Sequence, residues 1–168
     1  MNQGTKRVAA AGGVSILLAS ALMVGDVRER EGREYKPYKD IVGVVTVCDG
    51  ITGPDVIPGK VYTDAECNAL TIKHVEAHGE RLLACIKVRI TQDLYESLNS
   101  WAFNVGTGAA CGSTLMRLLN QGQYRAACEQ LLRWNKAGGR VVRGLTLRRQ
   151  AEREQCIKGI PQSEKATA

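Results

Sequence analysis

The sequence predicts a mostly helical α+β domain with a small β-hairpin near its N-terminus, and three observations carry that prediction. From Thr63 onward, apolar residues recur at helical spacing in successive stretches. Upstream of them a single run, Ile41-Val42-Gly43-Val44-Val45-Thr46-Val47, is β-branched and glycine-punctuated, as a short strand or hairpin would be. The composition is 44% hydrophobic and 24% charged over 168 residues, which excludes wholesale disorder and suffices for one buried core.

The chain opens with Lys6 and Arg7, followed by Val8 to Gly25, eighteen residues without a charged side chain. As a helix this stretch would span about 27 Å, barely the hydrocarbon core of a bilayer. Ten of the eighteen are Ala, Gly or Ser, so insertion is expected to be only narrowly favourable. The positive flank predicts a cytoplasmic N-terminus and an exported remainder. Residues 1–25 therefore read as a weakly held signal anchor ahead of a domain over 26–168. Two alternatives stand beside it: a signal peptide cleaved near Ala19-Ser20-Ala21, and a buried core helix.

Asp26 to Lys39 is dense in charge, and Pro37 limits any helix there. After the Ile41–Val47 run, Gly50-Ile51-Thr52-Gly53-Pro54-Asp55 reads as turn. Thr63-Asp64-Ala65-Glu66 is a capping box that opens an amphipathic helix toward Ala84. Leu94, Leu98, Trp101 and Ala102 lie on one face of the next helix. Ser113 or Thr114 caps another carrying Leu115, Leu118 and Leu119, and Leu131, Leu132 and Trp134 close a fourth. The last begins near Leu145, and its Arg148, Arg149 and Arg153 read equally as a solvated face or as a surface for anionic peptides.

Lys and Arg outnumber Asp and Glu by 23 to 17, and the resulting +6 suits an anionic partner. Aromatics at 5% argue against stacking on nucleic acid. The six cysteines, at positions 48, 67, 85, 111, 128 and 156, include no CxxC pair, so a zinc ribbon and a thioredoxin-type redox motif both lack their local geometry. An even, widely spaced set fits structural disulfides in an oxidising compartment. Six cysteines allow 15 complete connectivities and the sequence does not choose among them; sequential neighbours, Cys48 with Cys67, Cys85 with Cys111 and Cys128 with Cys156, are the guess to test. His74 and His78, four apart, lie off the HExxH order with no third ligand evident, and read as a solvated helix face rather than a metal site. No metal and no cofactor is expected.

Glu31, Asp40 and Thr46 carry the chemistry. Two carboxylates and a hydroxyl, one carboxylate ending the charged stretch and the other entering the hairpin, suit cleavage of a glycosidic bond. One carboxyl must give a proton to the leaving oxygen while the other, ionised, steadies charge or activates water.

Around them stand Glu31-Gly32, Tyr35, Pro37-Tyr38-Lys39-Asp40, Gly43, Thr46, Gly50 and Gly53. Further on come Phe103-Asn104-Val105-Gly106, Ser113-Thr114-Leu115, Trp134 with Ala137-Gly138-Gly139, and Gly144-Leu145 with Arg148-Arg149 and Glu152. In this order, over residues 27 to 158, the pattern resembles the phage-type lysozymes. Their signature is a Glu, eight residues, an Asp or Cys, five residues and a Thr, and Glu31, Asp40 and Thr46 meet it without gaps. The weak anchor ahead of the motif resembles one subgroup, the signal-anchor-release (SAR) endolysins.

The resemblance implies hydrolysis of the β-1,4 bond between N-acetylmuramic acid and N-acetylglucosamine in peptidoglycan. Glu31 would be the general acid, Asp40 would stabilise charge on the sugar, Thr46 would hold a water, and Phe103 and Asn104 would line the sugar cleft. It also implies an inner-membrane protein later released to the periplasm, monomeric and with no nucleic-acid partner. Ile51 stands where many relatives carry a histidine, so the ion pair some members bury there is expected to be missing. The subgroup's regulatory cysteine in the anchor or at the Asp position is absent as well. A lytic transglycosylase using Glu31 alone, or a disulfide-stapled cell-wall binding module, are the alternatives.

Overall fold

A computed structural model describes residues 7–9, 15–17, 32–40 and 43–165. The chain divides into two compact units, one of residues 19–77 and one of residues 1–18 with 78–168.

In the first unit, β3 (Glu34–Lys39), β4 (Val45–Cys48) and β5 (Ile51–Thr52) form an antiparallel sheet in the order β3-β4-β5. The charged stretch before the hairpin is thus extended where it is described, and Glu34 to Lys39 adds a strand that charge density alone did not announce. Pro37 explains how: β3 is an edge strand, where a residue without an N–H costs the sheet little. The register breaks around it, with Glu34 opposite Cys48 and Tyr38 opposite Thr46. Only the ends of the Gly50–Asp55 turn are turn, since Ile51 and Thr52 pair with Val47 and Thr46.

Helix α1 (Asp64–Leu83) begins at the predicted capping box. The Thr63 N–H donates to Glu66 Oε2 at 2.8 Å, and the Glu66 N–H donates back to Thr63 Oγ1 at 3.3 Å. The small core of this unit is Val47, Cys48, Ile51, Tyr62 and Cys67, with Val56 and Leu70 against it. The Cys48–Cys67 disulfide ties the end of β4 to the start of α1. Cys48 has φ +55°, a left-handed conformation uncommon outside glycine.

In the second unit, α2 (Gln92–Val105) is the central helix, with Leu94, Tyr95, Leu98, Trp101 and Ala102 buried as the apolar spacing required. Thr91 caps it and also donates to Gly159 O at 2.6 Å. A Cβ at Gly159 would lie 2.4 Å from Leu94 N, so only glycine permits this approach. After α2 come α3 (Thr107–Cys111), α4 (Thr114–Asn120), α5 (Tyr124–Glu129) and a 3-10 turn over Gln130–Arg133. Ser113 caps α4, its Oγ accepting from Met116 N–H at 3.0 Å. The hairpin β6 (Lys136–Ala137) and β7 (Arg140–Val141) leads into α6 (Arg143–Lys158), and α7 (Gln162–Lys165) follows. Helix α6 packs along α2, and Trp134 meets Trp101 edge-on with ring centroids 5.3 Å apart.

Two of the arginines on α6 are not a face for peptides or for solvent. Arg149 is fully buried, Arg148 and Glu152 nearly so, and Glu152 binds both guanidiniums at 2.8–3.0 Å. Ser100 of α2 donates to Glu152 Oε1 at 2.8 Å, so the charged cluster fastens α6 to α2. Arg153 instead pairs with Glu129.

Within the N-terminal segment, β1 (Arg7–Ala9) and β2 (Ser15–Leu17) pair antiparallel, Val8 opposite Ile16. That differs from the continuous helix the apolar run would form in a bilayer. Among the described residues no helix is long and apolar enough to cross a membrane. Cys85–Cys111 and Cys128–Cys156 complete the sequential pairing, and all six cysteines are bonded.

Candidate active site

Asp40 and Thr46 converge on the backbone of one residue, Val44. The β3–β4 hairpin places Asp40 at the start of its connecting loop and Thr46 one residue into β4. Asp40 N–H donates to Val44 O at 2.9 Å, and Asp40 Oδ1 accepts from Val44 N–H at 2.8 Å. Thr46 Oγ1 donates to the same Val44 carbonyl at 3.1 Å. Val44 is therefore the bridge that holds carboxylate and hydroxyl in fixed relation. Asp40 is half-buried, and Thr46 is buried in the middle strand with Tyr38 on one side and Thr52 on the other. A threonine hydroxyl whose proton is committed to a carbonyl presents its oxygen as an acceptor, which suits it to hold a water. Glu31 lies outside the described residues.

Phe103 and Asn104 occupy the last turn of α2 in the other unit, Phe103 half-buried and Asn104 exposed. Sequence reasoning missed the neighbour of Phe103. His78 stands with its ring centroid 5.0 Å from that of Phe103 and its Nδ1 3.1 Å from Thr107 Oγ1. The two histidines are thus not a solvated face. His74 is half-buried and its Nε2 lies 2.9 Å from Asp55 Oδ2, so each histidine is held by a different partner. The Lys73 ammonium, and after it His74, hold the Asp55 carboxyl below its ordinary range. Among the described residues no group of three or more His, Cys, Asp or Glu side chains could hold a metal.

The second residue missed was Arg33. Its Nε donates to Asp49 Oδ1 at 2.8 Å and its Nη2 to Asp49 Oδ2 at 2.5 Å. Its Nη1 donates to Asp64 Oδ1 at 2.8 Å. Asp49 is fully buried and also accepts from Thr71 Oγ1 at 2.6 Å. The two carboxylates, Asp49 foremost, raise the guanidinium pKa well above its ordinary value. Ile51 is buried among apolar residues, and the ion pair this unit buries is Arg33 with Asp49. The only signal for it in the sequence was the alternation of charges over residues 28–34, where no partner could be singled out.

A mostly helical chain with small antiparallel hairpins is the architecture of the phage lysozymes among solved structures. The chain belongs to the phage lysozyme family, whose pattern it matches over residues 28–152. It is 46% identical over 154 residues to a SAR-endolysin of Bacteriophage PS119, covering 90% of this chain and 92% of that one. It is 48% identical over 157 residues to a SAR-endolysin of Enterobacteria phage PA-2, covering 92% and 95%. Among solved structures, the endolysin of Escherichia coli O157:H7 phage FAHEc1 superposes with a TM-score of 0.71 at 26% identity, over 85% of this chain and 96% of that one.

Proposed function

We propose that this chain is an endolysin that hydrolyses the β-1,4 bond between N-acetylmuramic acid and N-acetylglucosamine of peptidoglycan and so lyses a bacterial host. The observation that carries this is the unbroken Glu31, Asp40, Thr46 spacing inside the family match over residues 28–152. Glu31 is the general acid that protonates the leaving oxygen. Asp40 stays ionised to stabilise positive charge on the sugar and orient water. Thr46 holds that water through its acceptor oxygen, and direct attack by the held water inverts the anomeric carbon. Phe103 and Asn104 line the sugar cleft, and the enzyme acts as a monomer without cofactor. Turbidity loss of permeabilised cells tests the reading. Glu31→Gln removes the proton donor at nearly constant shape, and activity should fall about 10²- to 10⁴-fold. Near-parental lysis by Glu31→Gln would sink it. Mass spectrometry of the digest separates this from a transglycosylase, because only hydrolysis adds water.

Residues 1–25 serve as the signal anchor. Residues 8–25 hold the chain in the inner membrane, N-terminus cytoplasmic and domain periplasmic, until they are released. The SAR-endolysin naming of relatives that share about half their residues with this chain supports that placement. Replacing Gly12, Gly13, Ser15 and Ser20 by Leu should add on the order of a few kcal/mol of insertion energy and trap the protein. Fractionation with and without an uncoupler reads the result.

A further inference from the structure

The β3–β4 pairing is irregular where it matters. Between the pairs Glu34–Cys48 and Tyr38–Thr46, β3 advances four residues while β4 advances two. A strand pair interrupted in this way, with Pro37 inside it, has fewer ladder bonds holding its two strands together at the shift. Arg33 and Asp49 are the residues next to Glu34 and Cys48, so their ion pair closes the hairpin just past its last rung. The pair is a two-pronged fork on a fully buried carboxylate, which sets orientation as well as distance. The third nitrogen reaches Asp64 in the first turn of α1, and Asp49 takes its further bond from Thr71 two turns on. Strand β3, strand β4 and helix α1 thus meet at one guanidinium. Just upstream, Gly32 has φ +71°, a conformation L side chains rarely adopt, so the chain turns there in a defined direction. Two residues, at most about 7 Å of chain, separate Arg33 from Glu31.

The geometry points to Arg33 as the positioning residue of the site: clamped by Asp49 and Asp64, two positions along the chain from Glu31, it sets the register of the hairpin that presents Asp40 and Thr46. This rests on the roles proposed above for those three residues. A buried ion pair is a poor device for stability alone, since well-packed apolar residues would do as well or better. What it adds here is direction.

The test compares the full-length parent with Arg33→Met, Arg33→Lys, Thr71→Val and Glu31→Gln, on soluble glycan strands, below each variant's own melting transition. Displacing catalytic groups by about an ångström costs on the order of 100-fold in rate, so kcat of Arg33→Met should fall by about that factor while KM stays within about threefold. Arg33→Lys, which keeps charge and loses the fork, should recover part of the loss. Thr71→Val, which loosens Asp49 alone, should lower kcat several-fold. If Arg33→Met folds with a lower melting temperature but near-parental kcat, Arg33 only stabilises and the proposal is overturned. Should Arg33→Met not fold, parental kcat in both Arg33→Lys and Thr71→Val overturns it equally. An active Glu31→Gln would refute the catalytic reading itself, whereas an inactive Glu31→Gln beside an active Arg33→Met refutes only the positioning role.

Discussion

Asp40 carries two separable duties, and the hairpin shows how to part them. Its Oδ1 accepts the Val44 N–H and so helps close the loop, while the negative charge is what the chemistry requires. Asp40→Asn keeps an acceptor oxygen at that place and removes the charge. It should fold with a melting temperature close to the parent's yet lose about 10²- to 10³-fold in lysis rate. Asp40→Ala loses both, and should be less stable than Asp40→Asn by about 1 kcal/mol in urea denaturation. Equal stability of the two would mean the Val44 bond does nothing for the loop. The spacing of Asp40 and Thr46 was legible in the sequence because a hairpin of fixed register turns six positions of chain into one neighbourhood. Arg33 and His78 were not, because their partners Asp49 and Phe103 lie 16 and 25 positions away, reached only through the fold.

Helices were easier to read than strands, for a physical reason. Helices α2 and α4 each bury an apolar stripe, and the caps of α1 and α4 are local, so Thr63, Glu66 and Ser113 announced their roles. Strand β3 has an exposed edge and faces mostly outward, as Glu34-Tyr35-Lys36-Pro37-Tyr38-Lys39, so no alternation of apolar and polar residues marked it. The first turn of α1 also sets an acid sensitivity. The Lys60 ammonium, followed by the Thr63 N–H and hydroxyl, pulls the Glu66 carboxyl down to about 2, and Lys73 and His74 lower Asp55. Both groups therefore bind fewer protons folded than unfolded. The stability they contribute is present above the unfolded carboxylate range near ~4 and is lost as pH falls through the folded values. The urea midpoint should drop between pH 5 and about pH 2.5, and Glu66→Gln should drop less over the same interval. An unchanged difference in that variant would place the acid sensitivity elsewhere.

For the whole molecule, the cysteines link fold to compartment. The existence of disulfides was legible in the even, widely spaced cysteines, but their pairing was not, since six cysteines allow 15 connectivities; the fold selects sequential neighbours, closing stretches of 19, 26 and 28 residues. Cys48–Cys67 lies in the unit of residues 19–77, and the other two bridges lie in the unit of 78–168, so neither unit depends on packing alone. Loops of that length remove unfolded-state entropy worth about 3 kcal/mol each. Three of them sum to roughly 10 kcal/mol, within the 5–15 kcal/mol that separates folded from unfolded in typical domains. A chain with all three bridges open should therefore be marginal at best. That ties activity to the oxidising side of a membrane, where an exported domain would acquire its bridges. Removing Cys85–Cys111 as a paired serine variant should lower stability by about 3 kcal/mol, and full reduction should abolish cooperative melting near 37 °C. Thiol labelling of the denatured, unreduced protein should find no reactive cysteine, and labelling after reduction should find six. A reduced protein that melts as cooperatively and as high as the oxidised one would show that the packed core alone suffices, and would remove the tie between compartment and fold.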